Sequence, residues 1–542
     1  MDSSFFHIPV HSSFLPTMAA EEDMPLLGPR TQPATKSEVK RVMLAGLPML
    51  LLTAADGAFM LASFSTLGSN FGHLGDAAWA IMTYQVGVII GQSIYSRLSD
   101  RYGRKQIMLF AHFLFIVGTF CAWQAPGFWY IVAARFLVGL GTAGMPLMLN
   151  TILNDICSQR SRSALHGGVL VGQFLGSIGG GYTLAKYSPQ MVFRCEFIWA
   201  LLSFAILCWF LPTSNLDDLP AQCNIRGAFV LAFSLVCLVV CLDNDLVAFW
   251  VPLALCIAAA LVFGWLERHA TVSLVPWERL QDRPMMYVIG IAPITAFIDM
   301  SILSLIPYYV QASHTGSIVT IGWLNMTFTV AEIFGHFLCS LIQRDRHVFI
   351  ASRALSSLSA GVLLINKDWV KLVGLILAGL SSALANGNSM TMIIRHTEVK
   401  ATNKDRGILY GIYHLVISIG NLLSQSMIIW MLQGLIARYI RSSLDHDSSD
   451  DIDKLVKKCL ESFDYIDTLP DWLGLSVLQS FLDAIRTCIS MTSTQYSLAS
   501  RVLGTDYTIT RVHSGYFMHG GAHCLPLRFQ ESRGKRTGIH LT

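Results

Sequence analysis

Asp56, Arg135, Asp299 and Glu332 each stand inside a long apolar run of the sequence. An ionised side chain in such surroundings is costly, so each is a functional candidate: to pair, to bind a charged solute, or to carry a proton. Asp56 and Arg135 have opposite signs and fall at similar depth, so they can pair, and a proton reaching Asp56 would release Arg135. Glu332 and His336 lie four residues apart on one helical face, a spacing at which two side chains can share a proton. Asp56, Arg135, Glu332 and His336 are therefore the proton-coupling candidates, and Asp299 with Asp56 the substrate-binding ones. Three carboxylates against one guanidinium favour a cationic solute. Each side chain has a structural alternative, an ion pair or polar contact that joins two helices.

A second constellation is Ser96-Arg97-Leu98-Ser99-Asp100-Arg101-Tyr102-Gly103-Arg104-Lys105. Gly103 suits a tight turn between two helices, and Asp100 can cap the following helix or pair with a neighbouring Arg. Asp100, Gly103, Arg104 and Lys105 thus read as a conformational latch.

The elements that position these residues follow from composition. The 542 residues are 53% hydrophobic and only 13% charged, against about 25% charged in soluble domains. Apolar runs of roughly 20 residues, enough to span a bilayer, recur about thirteen times between 42 and 433. The expected layout has a disordered tail over 1–41, a six-helix bundle over 42–212, and two inserted transmembrane helices over 226–265. A C-terminal helical bundle over 286–490 contains a polar segment at 434–470, and an atypical, disordered tail fills 491–542. Lys and Arg cluster after the second, fourth, tenth and twelfth runs, at Arg97 to Lys105, Arg160 and Arg162, Arg344 and Arg346, and Lys400 to Arg406, with Lys186, Arg194, Lys367 and Lys371 as the few exceptions, which places the N-terminus in the cytosol and 434–470 in the lumen. No secretory signal opens the chain. Residues 471–490 are moderately apolar but carry Asp483 and Arg486, and nothing beyond 491 can span.

Other chemistries lack their signatures. The 12 cysteines form no C-x-x-C pair or Cys/His cluster at metal spacing, so no metal is expected. No nucleophile elbow or His/Asp/Glu cluster supports an enzyme. A net charge of +3 does not suit a nucleic-acid binder. No cofactor is expected; a proton gradient would be the driving force.

The loop at Asp100, Gly103, Arg104 and Lys105 resembles the major facilitator signature G-x-L-a-D-r-x-G-r-k, with Ser96 in the place of its first Gly. Arg135, Gly139 and Gly141 are similar to the second motif of that superfamily. Gly172, Gly176, Gly180 and Gly181 resemble its antiporter motif, with Ser177 where the motif has Pro. Ala55-Asp56-Gly57, Ala62-Ser63-Phe64, Trp79, Asn154-Asp155-Ile156 and Asp405-Arg406-Gly407, in that order, resemble the fourteen-spanner drug:proton antiporter branch. Within it the chain looks like the fungal vacuolar basic amino acid permeases, whose last span follows a lumenal segment similar to ESFDYIDTLP. The fourteenth span of that branch is the main departure.

The resemblance implies an all-α major facilitator fold of two six-helix bundles with two inserted helices, and about 13, or 14, transmembrane helices in all. It implies a proton-coupled antiporter that carries basic amino acids into the vacuole, in contact with small cationic solutes and the lipid bilayer. Glu22, Leu26 and Leu27 have the spacing of an acidic dileucine sorting signal, which a sorting adaptor would read to send the protein to the vacuolar or lysosomal membrane. Two alternatives stay open: export of drugs or siderophores at the plasma membrane, and a non-transporting nutrient receptor with the same fold.

Overall fold

The computed structural model describes residues 36–156, 171–180, 189–211, 225–243, 250–270, 283–313, 318–341, 345–365, 368–400, 403–443, 449–461 and 463–491, with a few single residues between them. Glu22, Leu26, Leu27, Gly181 and the tail beyond Met491 lie outside these residues. All regular structure among them is α-helical. The reason is the solvent. In a bilayer every backbone N–H and C=O must be paired within its own segment, and a helix does that.

The outward faces agree. Trp209 (85% exposed), Leu261 (70%) and Trp369 (66%) would be a liability in water and are ordinary against lipid. Eight helices among the described residues are long and apolar enough to cross a membrane, and Arg226–Cys241 and Ala354–Leu363 are shorter apolar stretches. The chain is a multi-pass membrane protein.

The N-half comprises α1 (Lys36–Asn70), α2 (Trp79–Tyr102), α3 (Arg104–Trp123), α4 (Phe128–Ile156), α5 (171–180) and α6 (Pro189–Phe210). The stretch 1–41, expected to be disordered, is helical from Lys36 onward, with Glu38 in the first turn, where the helix dipole favours an acid. Helices α2 and α3 both pack on α4, and α6 lies against α3 and α1. His112 on α3 ties the last pair, its Nε2 lying 3.0 Å from both Ala200 O and Ser203 Oγ on α6.

Helices α7 (Ile225–Asp243) and α8 (Trp250–His269) pack on each other. α7 reaches the bundle, against α2 and the last long helix of the C-half. α8 is largely exposed to lipid, with Trp250, Leu261 and Trp265 all outward.

The C-half comprises α9 (Arg283–Ala312), α10 (Ile318–Leu341), α11 (Asp345–Leu363), α12 (Asp368–Lys400) and α13 (Asn403–Ser443). Helices α10 and α11 pack on α12 as α2 and α3 pack on α4, and α9 lies along α13. The apolar run ending near 433 belongs to a helix that continues to Ser443. Beyond it come α14 (Ser449–Glu461), α15 (Phe463–Asp467) and α16 (471–491). Helix α14 is amphipathic: Val456 and Cys459 are buried, while Lys454, Lys457 and Lys458 are exposed.

The turn at Gly103 marks the basic end of the bundle, and the turn between α1 and α2 marks the far end. α16 packs at the far end of the C-half. Thr487 Oγ1 lies 3.0 Å from Tyr439 Oη, and its 482–489 stretch shares a cavity with Tyr309, Thr320, Leu363 and Lys371. Those five partners sit within about a turn of the far ends of their helices. Residues 471–491 thus form a helix laid across that end, with Asp483 and Arg486 paired at 2.8 Å and both about 40% exposed.

Candidate transport site

Helix α5 is held against α1 by its glycines. A Cβ on Gly172 would meet Leu51 O at 2.6 Å, and Cβ atoms on Gly176 and Gly180 would collide with the Ala55 carbonyl and the Phe59 ring. Small residues at this spacing let two helix backbones touch. The contact fixes the turn of α1 that carries Asp56.

Asp56 meets Arg135 of α4 in a two-pronged pair. Arg135 Nη1 donates to Asp56 Oδ1 at 2.5 Å and Nη2 to Oδ2 at 3.1 Å. Both are closed off, at 0% and 1% exposure. The guanidinium also lies over the Tyr84 ring, 4.7 Å from its centroid. Such a fork is the strongest form of an ion pair, and its burial makes loss of either partner costly.

A second carboxylate stands in range. Glu196 of α6 is 7% exposed and interacts electrostatically with both Asp56 and Arg135. Its Oε2 and the Arg135 Nε are buried without a hydrogen-bond partner among the described residues. Arg135 therefore has one engaged carboxylate and another close by.

In the C-half the carboxylates face an open space. A cavity of about 310 Å³ lies between the halves, lined from α1, α2, α4 and α5 on one side and α9, α10, α12 and α13 on the other. Among the described residues its charged lining is Arg135, Asp299 and Glu332. Asp299 accepts a 2.7 Å hydrogen bond from Ser382, whose oxygen in turn accepts from Asn386 at 3.3 Å. Glu332 interacts electrostatically with Asp299. Asn325 and Gln173 also line the space, and Asn325 Oδ1 and Nδ2 and Gln173 Oε1 are buried without hydrogen-bond partners among the described residues. These amides offer donors and acceptors to whatever enters.

Asp56 is not on the lining; it stands behind Arg135. His336 is also absent from the lining. Its Nδ1 lies beside Gly387 of α12, 3.4 Å from where a Cβ would be. Glu332 and His336 share a helix, but only Glu332 reaches the cavity.

The latch residues occupy the basic end. Gly103 takes φ 86°, a conformation natural only to glycine, and breaks the chain between α2 and α3. Arg104 Nη1 then donates to Thr151 O at 3.4 Å, and Lys105 Nζ to Leu211 O at 2.5 Å. Lys105 thus sits on a carbonyl just past the last turn of α6, where the helix dipole is negative, and Arg104 on a carbonyl toward the C-terminal end of α4. These contacts all lie within the N-half. The side chains of Asp100, Asp155 and Asp405 lie outside the described residues.

The far end of the cavity is closed by contacts between the halves. Gln311 of α9 donates to Ser65 and Thr66 of α1, both at 3.0 Å. Gln433 of α13 donates to Gly75 O at 2.6 Å. The strap formed by α14 and α15 adds Leu74 N–H to Glu461 O at 3.0 Å and Phe463 N–H to Ser69 Oγ at 3.2 Å.

Two helical halves around a midplane cavity, with charges buried between them, define a secondary transporter fold. The sequence profile of the Major Facilitator Superfamily matches residues 47–297 and again 288–439, and the chain belongs to that superfamily. It is a transporter-family protein and not an enzyme. It is similar to the vacuolar membrane amino acid uptake transporter fnx2 of Schizosaccharomyces pombe, 22% identical over 84% of this chain and 82% of that one. It is also similar to the multidrug resistance protein fnx1 of the same yeast, 24% identical over 80% and 86%. The fold matches a bacterial homolog of the human lysosomal transporter Spinster, in an inward-facing and unoccupied conformation, at TM-score 0.60 and 15% identity, over 87% of this chain and 99% of that one.

Sequence reasoning missed Glu196, Tyr84, Gln173, Asn325 and Asn386. Each is a polar residue in an apolar run, and that signal was available. Glu196 follows Arg194 near the start of α6, where a charge passes for a flank.

Proposed function

We propose that this protein is a proton-coupled antiporter that moves basic amino acids into the vacuole. The observation that carries the reading is the cavity's charge. Asp299 and Glu332 face it, while Arg135, its one lining cation among the described residues, is already held by Asp56. A space so lined attracts cations. The orphaned amides of Asn325 and Gln173 suit the carboxylate and ammonium ends of an amino acid. The volume, about 310 Å³, is at the small end of the roughly 300–1,000 Å³ typical of small-molecule pockets, and favours an amino acid over a siderophore. The printed name of the fnx2 relative points the same way.

In this mechanism a proton on Asp56 neutralises it and frees Arg135, which turns toward Glu196 or the cavity. The solute cation and the proton thereby compete through one guanidinium. The far-end contacts break when the halves rock, and the basic end closes. Asp100, Gly103, Arg104 and Lys105 set the geometry of that end. Glu22, Leu26 and Leu27 are proposed to direct the protein to the vacuole through a sorting adaptor.

The test is uptake into sealed vesicles that contain the protein and an imposed pH gradient, acidic inside. Labelled lysine, arginine or histidine should accumulate only while the gradient lasts. The fnx1 relative, described as a multidrug resistance protein, supports a second reading, export of cationic drugs at the plasma membrane. Indifference to basic amino acids together with gradient-driven movement of a cationic dye would replace the first reading with that one.

A further inference from the structure

A second cavity, of about 350 Å³, lies at the far end of the C-half, beneath α16 and apart from the transport site. Its walls are apolar: Ile302 and Leu305 of α9, Leu324 of α10, Leu375 of α12, and Ile485 of α16. Its cations, Lys371 and Arg486, come from different elements. Lys371 belongs to the first turn of α12, where its ammonium is hydrogen-bonded to the Tyr309 hydroxyl and lies 3.9 Å from that ring's centroid. Arg486 on α16 donates to Asp483 at 2.8 Å, which orients a guanidinium that has five N–H donors in all.

From this geometry we infer that the cavity holds an acyl-chain amphiphile with an anionic head, the chain along the apolar trough and the head against Lys371 and Arg486. A small soluble anion would leave the apolar length of the trough unfilled, and a cationic solute would meet two like charges. An amphiphile satisfies both parts. The surroundings supply it: Trp323, Leu364 and Leu372 line the same space and are 54%, 38% and 39% exposed, so the opening looks toward lipid. Basic side chains near a membrane surface attract anionic lipid head groups. The roof explains why α16 is laid across the end: Leu482, Ile485 and Ile489 would otherwise have nothing apolar to cover.

The experiment is native mass spectrometry and ligand titration of the purified full-length protein in detergent, with three probes: dioleoyl phosphatidic acid, oleate and dioleoyl phosphatidylcholine. Phosphatidic acid, oleate or both should bind at one equivalent and more tightly than phosphatidylcholine. Retention of the phospholipid alone identifies a membrane lipid, and of oleate alone a free fatty acid. The double variant Lys371→Gln/Arg486→Gln should weaken the anionic probe about tenfold or more, the loss of charge-assisted hydrogen bonds. The charge-preserving pair Lys371→Arg/Arg486→Lys should retain it, and Leu324→Phe, which fills the trough and leaves both cations, should reduce it. Thermal unfolding of each variant separates lost binding from lost folding. Equal binding of phosphatidylcholine, failure of both anionic probes, or undiminished binding by the well-folded glutamine pair or by Leu324→Phe would each overturn the inference.

Discussion

The two halves place charge in opposite ways. In the N-half the central charges answer each other, with Arg135 forked onto Asp56 at 0% and 1% exposure. In the C-half Asp299 and Glu332 face the cavity, and Asp299 is steadied by a neutral Ser382. One side of the cavity holds a closed pair, the other an open acidic wall. A closed pair in low dielectric can switch only if something neutralises one member, which suits a proton. An open wall can bind and release a hydrated cation. Coupling then requires the two halves to move together, and their contacts at the far end provide the link.

The largest expected effect comes from breaking the closed pair. Arg135→Gln leaves the buried carboxylate of Asp56 without its cation. Removal of one partner from a buried pair costs about 3–5 kcal/mol, so melting temperature and abundance should fall and gradient-driven uptake should vanish. The double variant Asp56→Leu/Arg135→Met should recover most of the stability and none of the transport. Uptake by that well-folded variant would show that the proton travels by another route.

The open wall should respond differently. Asp299→Asn or Glu332→Gln removes one charge-assisted contact to the solute, worth about tenfold in affinity. The half-saturating concentration of lysine should rise by that factor, with thermal stability nearly unchanged. A loss of stability as large as that of Arg135→Gln would erase the contrast between the halves.

The link can be probed through Cys459 on the strap. Its side chain is wholly buried, and burial pushes its thiol up to about 11. Little thiolate exists at neutral pH, so a membrane-impermeant maleimide applied from the far end should react slowly, and faster as pH rises. Gln311→Ala/Gln433→Ala removes three hydrogen bonds across the seam and should raise the labelling rate at least about tenfold, since each is worth about 0.5–1.5 kcal/mol. An unchanged rate would mean that the strap does not move with the halves.

How much of this was readable beforehand depends on what each residue's neighbours decide. The pairing of Asp56 with Arg135 was readable because two opposite charges at one depth in apolar helices have few other solutions. The separate surroundings of Glu332 and His336 were not. A spacing of four puts both on one helical face, but that face touches two neighbours, and only packing shows that Glu332 looks into the cavity while His336 lies by Gly387. The glycines of α5 announced a close helix contact without naming α1 as the partner. The helical character of 471–491 was legible in its apolar residues. Its direction was not, because an amphipathic helix can lie across the end of a bundle as well as along it.

That last difference gives the smallest expected effect and the clearest contrast. Helix α6 follows the five earlier helices of the N-half, and α16 follows the five long helices of the C-half and the short α14 and α15. Leu202 of α6 and Leu475 of α16 are about equally exposed, at 61% and 67%. Leu202 lies near the middle of a span of Gln190–Phe210, so Leu202→Lys puts a cation against hydrocarbon at roughly 2.5–3.5 kcal/mol on insertion scales. Leu475 lies on a helix whose partners are at the far end of the bundle, where water or lipid headgroups can receive the charge. Leu475→Lys should leave folding and uptake unchanged to within about 0.5 kcal/mol, as surface substitutions do. Cysteine at 475 should be labelled by a membrane-impermeant reagent from the same side as Cys459, and cysteine at 202 from neither side. If lysine at 475 destabilises the protein as much as lysine at 202, α16 crosses the bilayer, and the halves are alike in their sixth helix as well as in their first five.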